Sequence, residues 1–170
     1  TAGHEHNAGI KAYQVRNREN YEARWRHALS QHPDHEVPIV ELPGQHYRRQ
    51  ILIVDALTPR HNHDSGSLRM FNLMRLLCEQ GAHVVFLPAN RQHDGAYTLA
   101  LQQLGVEVWY APFAARPPAW LREHGPRFDV VLLSRHYVAS EFLPLVTRHA
   151  PQARVVFDSV DLHYLRESRG

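Results

Sequence analysis

The sequence predicts an α/β domain built as a doubly wound parallel sheet, preceded by a helical extension. Three observations carry that expectation. From Gln50 onward, short apolar runs alternate with amphipathic helical patterns. The fourth run, Val130 to Leu133, is uniformly apolar, as a central parallel strand covered on both faces should be. Each run ends in a polar loop that leads toward the next helix start, which is how β-α repeats read in sequence.

The elements follow in order. Gly9 to Gln31 reads as a helix, with Tyr21, Trp25, Ala28 and Leu29 on one face among Arg, Glu and Asn. His32 to Gly44 contains Pro33, Pro38, Pro43 and Gly44 and reads as a linker, so residues 1–46 form an extension and 47–170 the α/β domain. The first strand is Ile51 to Asp55. Its helix runs from Ser67 to Gln80, with Leu68, Phe71, Met74, Leu77 and Cys78 inward, Arg69, Asn72, Arg75 and Glu79 outward, and Gly81 as the stop. The second strand is His83 to Leu87. A short helix carries Tyr97, Ala100, Leu101 and Leu104 on one face and closes at Gly105. The third strand is Val106 to Tyr110, and Pro117 to His124 forms a short helix with proline at its start. The fourth strand, Val130 to Leu133, precedes a helix with Ala139, Phe142, Leu143 and Val146 inward, which ends before Pro151. The fifth strand is Arg154 to Phe157. Right-handed crossovers and a strand order of 3-2-1-4-5 place the switch point between the first and fourth strands.

Composition narrows the function. The chain has 170 residues, 44% hydrophobic and 21% charged, enough for one cored domain with an appendage. A formal charge of +2 with dispersed cations gives no argument for nucleic acid. Almost all cations are Arg, which favours planar contacts to carboxylates and phosphates. The lone Cys78 lies on an apolar helix face and reads as a buried thiol in a reducing compartment. No apolar run approaches a membrane span, and no signal peptide is visible. The chain starts at Thr1 without Met and ends at Gly170 as a helical pattern begins, which reads as a fragment of a longer protein.

Polar groups concentrate at three strand ends that this topology makes neighbours. After the first strand come Asp64, Ser65, Gly66 and Ser67. Ser65 or Ser67 can cap the helix that follows, and Gly66 can let a ligand approach the backbone. After the fourth strand come Ser134, Arg135 and His136. His136 can position or deprotonate a hydroxyl near neutral pH, or simply begin the next helix. After the fifth come Asp158, Asp161, His163 and Arg166. His61, His63 and Asp64 stand close in sequence but lack the partners that a tetrahedral metal site requires. Neither a GxGxxG dinucleotide fingerprint nor a Walker loop is present.

The ordered segments ILIVDALTP, DSGSLRMFNLMRLL, GAHVVFLPAN, LGVEVWY, FDVVLLSRHYVA and FDSVDLHYLRESR, from about Gln50 to Arg169, resemble the N-terminal lobe of GT-B glycosyltransferases of the retaining family 4 group. The resemblance implies half of a GT-B fold, a Rossmann-like lobe that carries the acceptor site. It implies that Arg135 and His136 lie near the acceptor and that Asp161 and His163 line the same cleft; with the strand-end polar groups, this makes His136 the catalytic candidate and adds Asp64 and Asp158 to the cleft. Gly66 and Ser67 would lie near the donor phosphates, although the paired glycines common in the wider family are missing. The donor would be a nucleotide sugar held by the second, C-terminal lobe, with no metal or other cofactor. The acceptor would be a glycan or lipid-linked glycan of a bacterial surface polysaccharide. Localisation would be cytoplasmic or at the inner face of the cell membrane, and this lobe alone would be inactive. Gly9 to His32, with RNRENYEARWRHAL, resembles the closing helical segment of a family 2 glycosyltransferase domain. The alternatives are a receiver-like module, suggested by ILIVD, and another nucleotide-binding α/β module such as an epimerase or reductase. A receiver needs a phosphoacceptor Asp on a central strand and a later Lys, whereas Lys11 precedes the sheet.

Overall fold

The computed structural model describes residues 10–29 and 49–159. The chain divides into two units, 1–46 and 47–170. The first contains α1 (Ile10–Leu29). On it Arg18 pairs with Glu22 one turn on at 2.7 Å, and the Tyr21 and Trp25 rings lie 6.5 Å apart. These are the contacts that four-residue spacing on a helix makes possible.

The second unit is an α/β sandwich. Its elements are β1 (Arg49–Asp55), α2 (Ser65–Glu79), β2 (Ala82–Pro88), α3 (Gly95–Gln103), β3 (Glu107–Val108), α4 (Pro117–His124), β4 (Val130–Ser134), α5 (His136–His149) and β5 (Arg154–Asp158). The five strands are all parallel in the order β3-β2-β1-β4-β5, a Rossmann-like topology. Val54 is level with Leu133, and Ser134 is level with Asp158. Asp55, Ser134 and Asp158 therefore end their strands along one edge of the sheet.

Alternation along β1 separates two cores. Leu52 and Val54 pack with Trp120, Leu121, Phe128, Val138, Phe142 and Val146 on the face covered by α4 and α5. Ile51 and Ile53 pack with Met70, Met74, Phe86 and Leu101 on the face covered by α2 and α3. Full burial of each such side chain contributes about 1.5–3 kcal/mol.

Several local expectations change. On α2 the buried positions are Met70 and Met74, while Leu68 is exposed. Successive residues advance about 100°, so Leu68 stands well away from the Met70–Met74 stripe. On α5, Val138, Phe142 and Val146 face the sheet at four-residue spacing, and Leu143 faces outward. Neither serine caps α2: the cap is Asp64, whose carboxylate accepts from the Ser67 N–H at 2.8 Å. The third strand shrinks to two residues, Glu107 and Val108. β5 extends one residue further than the apolar run, to Asp158, and its Val155, Val156 and Phe157 are exposed. An apolar run therefore marks a buried strand in β2 but not in this edge strand. Gly81 and Gly105 hold positive φ, 78° and 89°, where helices turn back toward the next strand. Gly125 has a different reason: a Cβ there would lie 2.5 Å from the His149 carbonyl oxygen.

Candidate functional site

Parallel β-α units bring polar side chains to the carboxyl ends of the strands, and the crevice opens where strand order reverses. Here that is between β1 and β4. Asp55 ends β1 and is buried. Its Oδ1 accepts from the Ala56 N–H at 2.7 Å and from Arg135 Nε at 2.8 Å. Burial pushes the Asp55 carboxyl above its ordinary range, despite the opposing hydrogen bonds from Ala56 and Arg135; the nearby Asp158 charge adds to the upward shift. Burial also acts against the Arg135 charge, but the Asp55 carboxylate outweighs it and raises the guanidinium pKa.

Arg135 joins β4 to α5 with φ 76° and ψ 141°, a conformation that suits glycine. Its N–H donates to the Asp158 carbonyl at 2.9 Å, and its carbonyl accepts from Ala139 at 3.0 Å. These bonds hold a strained residue at the mouth of the crevice. Beside it the Ser134 hydroxyl is fully buried and has no hydrogen-bond partner among the described residues. The Asp158 carboxylate pairs with Arg69 from the first turns of α2.

Asp64 completes the row. Its carboxylate accepts from both the hydroxyl and the N–H of Ser67, and these bonds hold it below the usual carboxylate range. The helix-start donors therefore already face an anion, and a phosphate at Gly66 and Ser67 must compete with Asp64. Next to this row, the loop between β1 and α2 is tied to α3. Arg60 donates to both Asp94 oxygens, at 2.8 and 3.2 Å, and the Tyr97 hydroxyl donates to Asn62 at 2.8 Å. The His61 ring lies 4.5 Å from Phe71, and His63 contacts Tyr97. Among the described residues no group of three His, Cys, Asp or Glu converges on a metal position.

The structure thus brings together Asp64, Ser67, Arg135 and Asp158 of the residues singled out from sequence. His136 is exposed at the start of α5, its ring edge-on to Tyr137. Asp161 and His163 lie outside the described residues. Sequence reasoning passed over Asp55 as a site residue and placed Arg69 on the solvent side. An acid closing an otherwise apolar strand was the available signal for Asp55. Nothing local marked Arg69, because its partner is 89 positions away. The resulting row holds the carboxylates of Asp55, Asp64 and Asp158 and the guanidinium groups of Arg69 and Arg135. It offers alternating acceptors and donors without an excess of positive charge.

No protein-family model matches the chain, and no curated protein matches it.

Proposed function

We propose that the 47–170 unit is the acceptor-binding lobe of a glycosyltransferase, with the glycan acceptor lying across the carboxyl ends of β1, β4 and β5. The observation that carries this reading is the mixed row of Asp55, Arg135, Asp158, Arg69 and Asp64 at the switch point. Neutral polyhydroxyl ligands need both acceptors and fixed donors, and aligned carboxylates and guanidiniums supply them. A row with more carboxylates than guanidiniums disfavours a phosphate, which fits a lobe that leaves the nucleotide-sugar donor to a second lobe. The ordered sequence resemblance supports the same reading. In it, His136 at the rim of the crevice positions or deprotonates the acceptor hydroxyl.

A receiver-like module is less well supported. That class uses the order 2-1-3-4-5, whereas this sheet runs 3-2-1-4-5.

The test is an NMR titration of the chain with a panel of neutral oligosaccharides and with uridine, guanosine and thymidine diphosphate sugars. At least one oligosaccharide is expected to move the amide signals of Asp55, Ser67, Arg135 and Asp158 and the ring signals of His136, leaving His93 unmoved. The nucleotide sugars are expected to leave these strand-end signals in place. Micromolar nucleotide-sugar binding at the strand ends, or oligosaccharides that leave every one of these signals still, overturns the assignment.

A further inference from the structure

A second concavity lies on the side of the domain that carries α4 and α5. It has a volume of about 630 Å³ and is lined by Arg91, Arg116, Arg122, Arg148 and His149, with Pro117 and Pro118 among its apolar walls. No carboxylate lines it. None of the four arginines has an ion-pair partner among the described residues. Like charges in one depression repel, and the pairing of arginine with Asp or Glu seen elsewhere on this domain is missing here.

Arg91 gives the depression a fixed wall. Its backbone is left-handed, with φ 58°, a conformation uncommon for a residue with a side chain. The turn is closed by its N–H to the Pro88 carbonyl, and its own carbonyl accepts from Ala111, both at 2.8 Å. Its guanidinium donates to the Ala115 carbonyl at 3.3 Å. Arg148 and His149 occupy the last turn of α5, where positive charge complements the helix dipole. Arg122 in the last turn of α4 is accounted for in the same way, but Arg91 and Arg116 lie outside any helix end of that sense. The start of α4 contributes little itself, because Pro117 and Pro118 have no N–H to offer. The donors are guanidinium groups.

We infer that this depression binds an organic diphosphate, whose charges are held by the four arginines and whose apolar or ring-bearing body packs against Pro117 and Pro118. The volume lies in the range of small-ligand pockets, about 300–1,000 Å³. Guanidinium forks match phosphate oxygens in a bidentate manner, and two adjacent phosphates present enough charge to relieve a cluster of this size. The site is separate from the strand-end crevice and does not depend on how that crevice is read. A nucleoside or a lipid can supply the body of such a ligand, and the shared chemistry is the diphosphate.

Calorimetry of the chain with inorganic pyrophosphate, adenosine diphosphate and geranyl diphosphate tests this. Saturable binding of one ligand per chain is expected, with at least one of the two organic ligands tighter than pyrophosphate. The tighter one identifies the body. Arg116→Gln combined with Arg148→Gln is expected to weaken binding at least tenfold with the melting temperature unchanged. Arg154→Gln, which removes an exposed arginine elsewhere, is expected to leave it within twofold. If the double variant melts early, the single variants Arg116→Gln and Arg122→Gln carry the comparison, each with a loss of several-fold. Three results overturn the inference: no saturable binding, equal losses from Arg154→Gln, or attachment only to vesicles containing phosphatidylglycerol while all three soluble probes fail.

Discussion

At the scale of single residues, the candidate site rests on one arginine that satisfies two unfavourable circumstances at once. Arg135 opposes the buried Asp55 charge, and it does so from a backbone conformation that suits glycine. Replacing it separates the two. Arg135→Ala removes the charge partner of Asp55 and keeps the backbone penalty. The expected loss of stability is about 1–3 kcal/mol, below the full cost of breaking a buried pair because part of the Arg135 side chain faces solvent. Arg135→Gly removes the same partner but relieves the backbone, so it is expected to be the more stable of the two by about 1 kcal/mol, a few degrees in melting temperature. Thermal unfolding of both proteins side by side checks this; equal midpoints would mean that the backbone relaxes once the side chain is gone. Residue-level chemistry was only partly legible in the sequence. Asp64, Ser67, Arg135 and Asp158 stand beside strand ends and could be found from local pattern. Arg69 joins them only because the sheet order brings α2 beside the end of β5, and a pairing 89 residues apart leaves no local trace.

At the scale of elements, the opposite end of the sheet is held by a polar cluster that joins three segments. The His83 Nε2 at the start of β2 lies 2.9 Å from Glu107 on β3, and Arg127, in the turn before β4, reaches the same carboxylate at 2.8 Å. The Trp109 indole N–H donates to it as well. Burial pushes the Glu107 carboxyl up, but the His83, Arg127 and Trp109 contacts win and bring it down to about 2. A depressed acid stabilises the fold at pH above its unfolded value and loses that contribution as the pH falls toward its folded value. Glu107 thus supports the domain above about pH 4.5, and its share disappears between there and about pH 2. Discounted for its solvent-facing edge, that share is on the order of 2 kcal/mol. Glu107→Gln is expected to lower stability at pH 7 and to flatten the acid limb of the stability curve, as read by urea unfolding across that range. An unchanged acid limb would assign the loss to other carboxylates. The third strand is also shorter than its pattern suggests: Val106 to Tyr110 looks like a full strand, yet only Glu107 and Val108 pair with β2. Trp109 still donates its backbone N–H to the Phe86 carbonyl of β2 at 2.9 Å, while its ring contacts Trp120 and His124. The ladder ends with that bond, so the pattern overstated the length of the strand and not its place.

At the scale of the whole 47–170 unit, sheet topology was the most legible property, because short, mostly apolar runs separated by helical periods admit few arrangements once crossovers are right-handed. What composition hides is how charge is distributed. A formal +2 over the chain suggests a featureless surface. The fold instead gathers Asp55, Asp64 and Asp158 with two arginines in one crevice and gathers, in a separate depression, four arginines with no ion-pair partner among the described residues. The two places must then differ in their sensitivity to salt. Screening shortens from about 10 Å at 0.1 M to about 3 Å at 1 M, so attraction between clustered guanidiniums and a diphosphate fades with ionic strength. Hydrogen bonds from the crevice to a neutral oligosaccharide carry no such long-range component. Raising salt from about 0.05 to about 0.5 M is expected to weaken diphosphate binding about tenfold and to change oligosaccharide binding by less than about twofold. Parallel titrations of the same protein at the two salt concentrations read both quantities. Equal salt sensitivity of the two ligands would remove the division of labour between crevice and depression. A salt-independent diphosphate would remove the guanidinium cluster as its binding group, since no other charge on that side of the domain could substitute for it without showing the same screening.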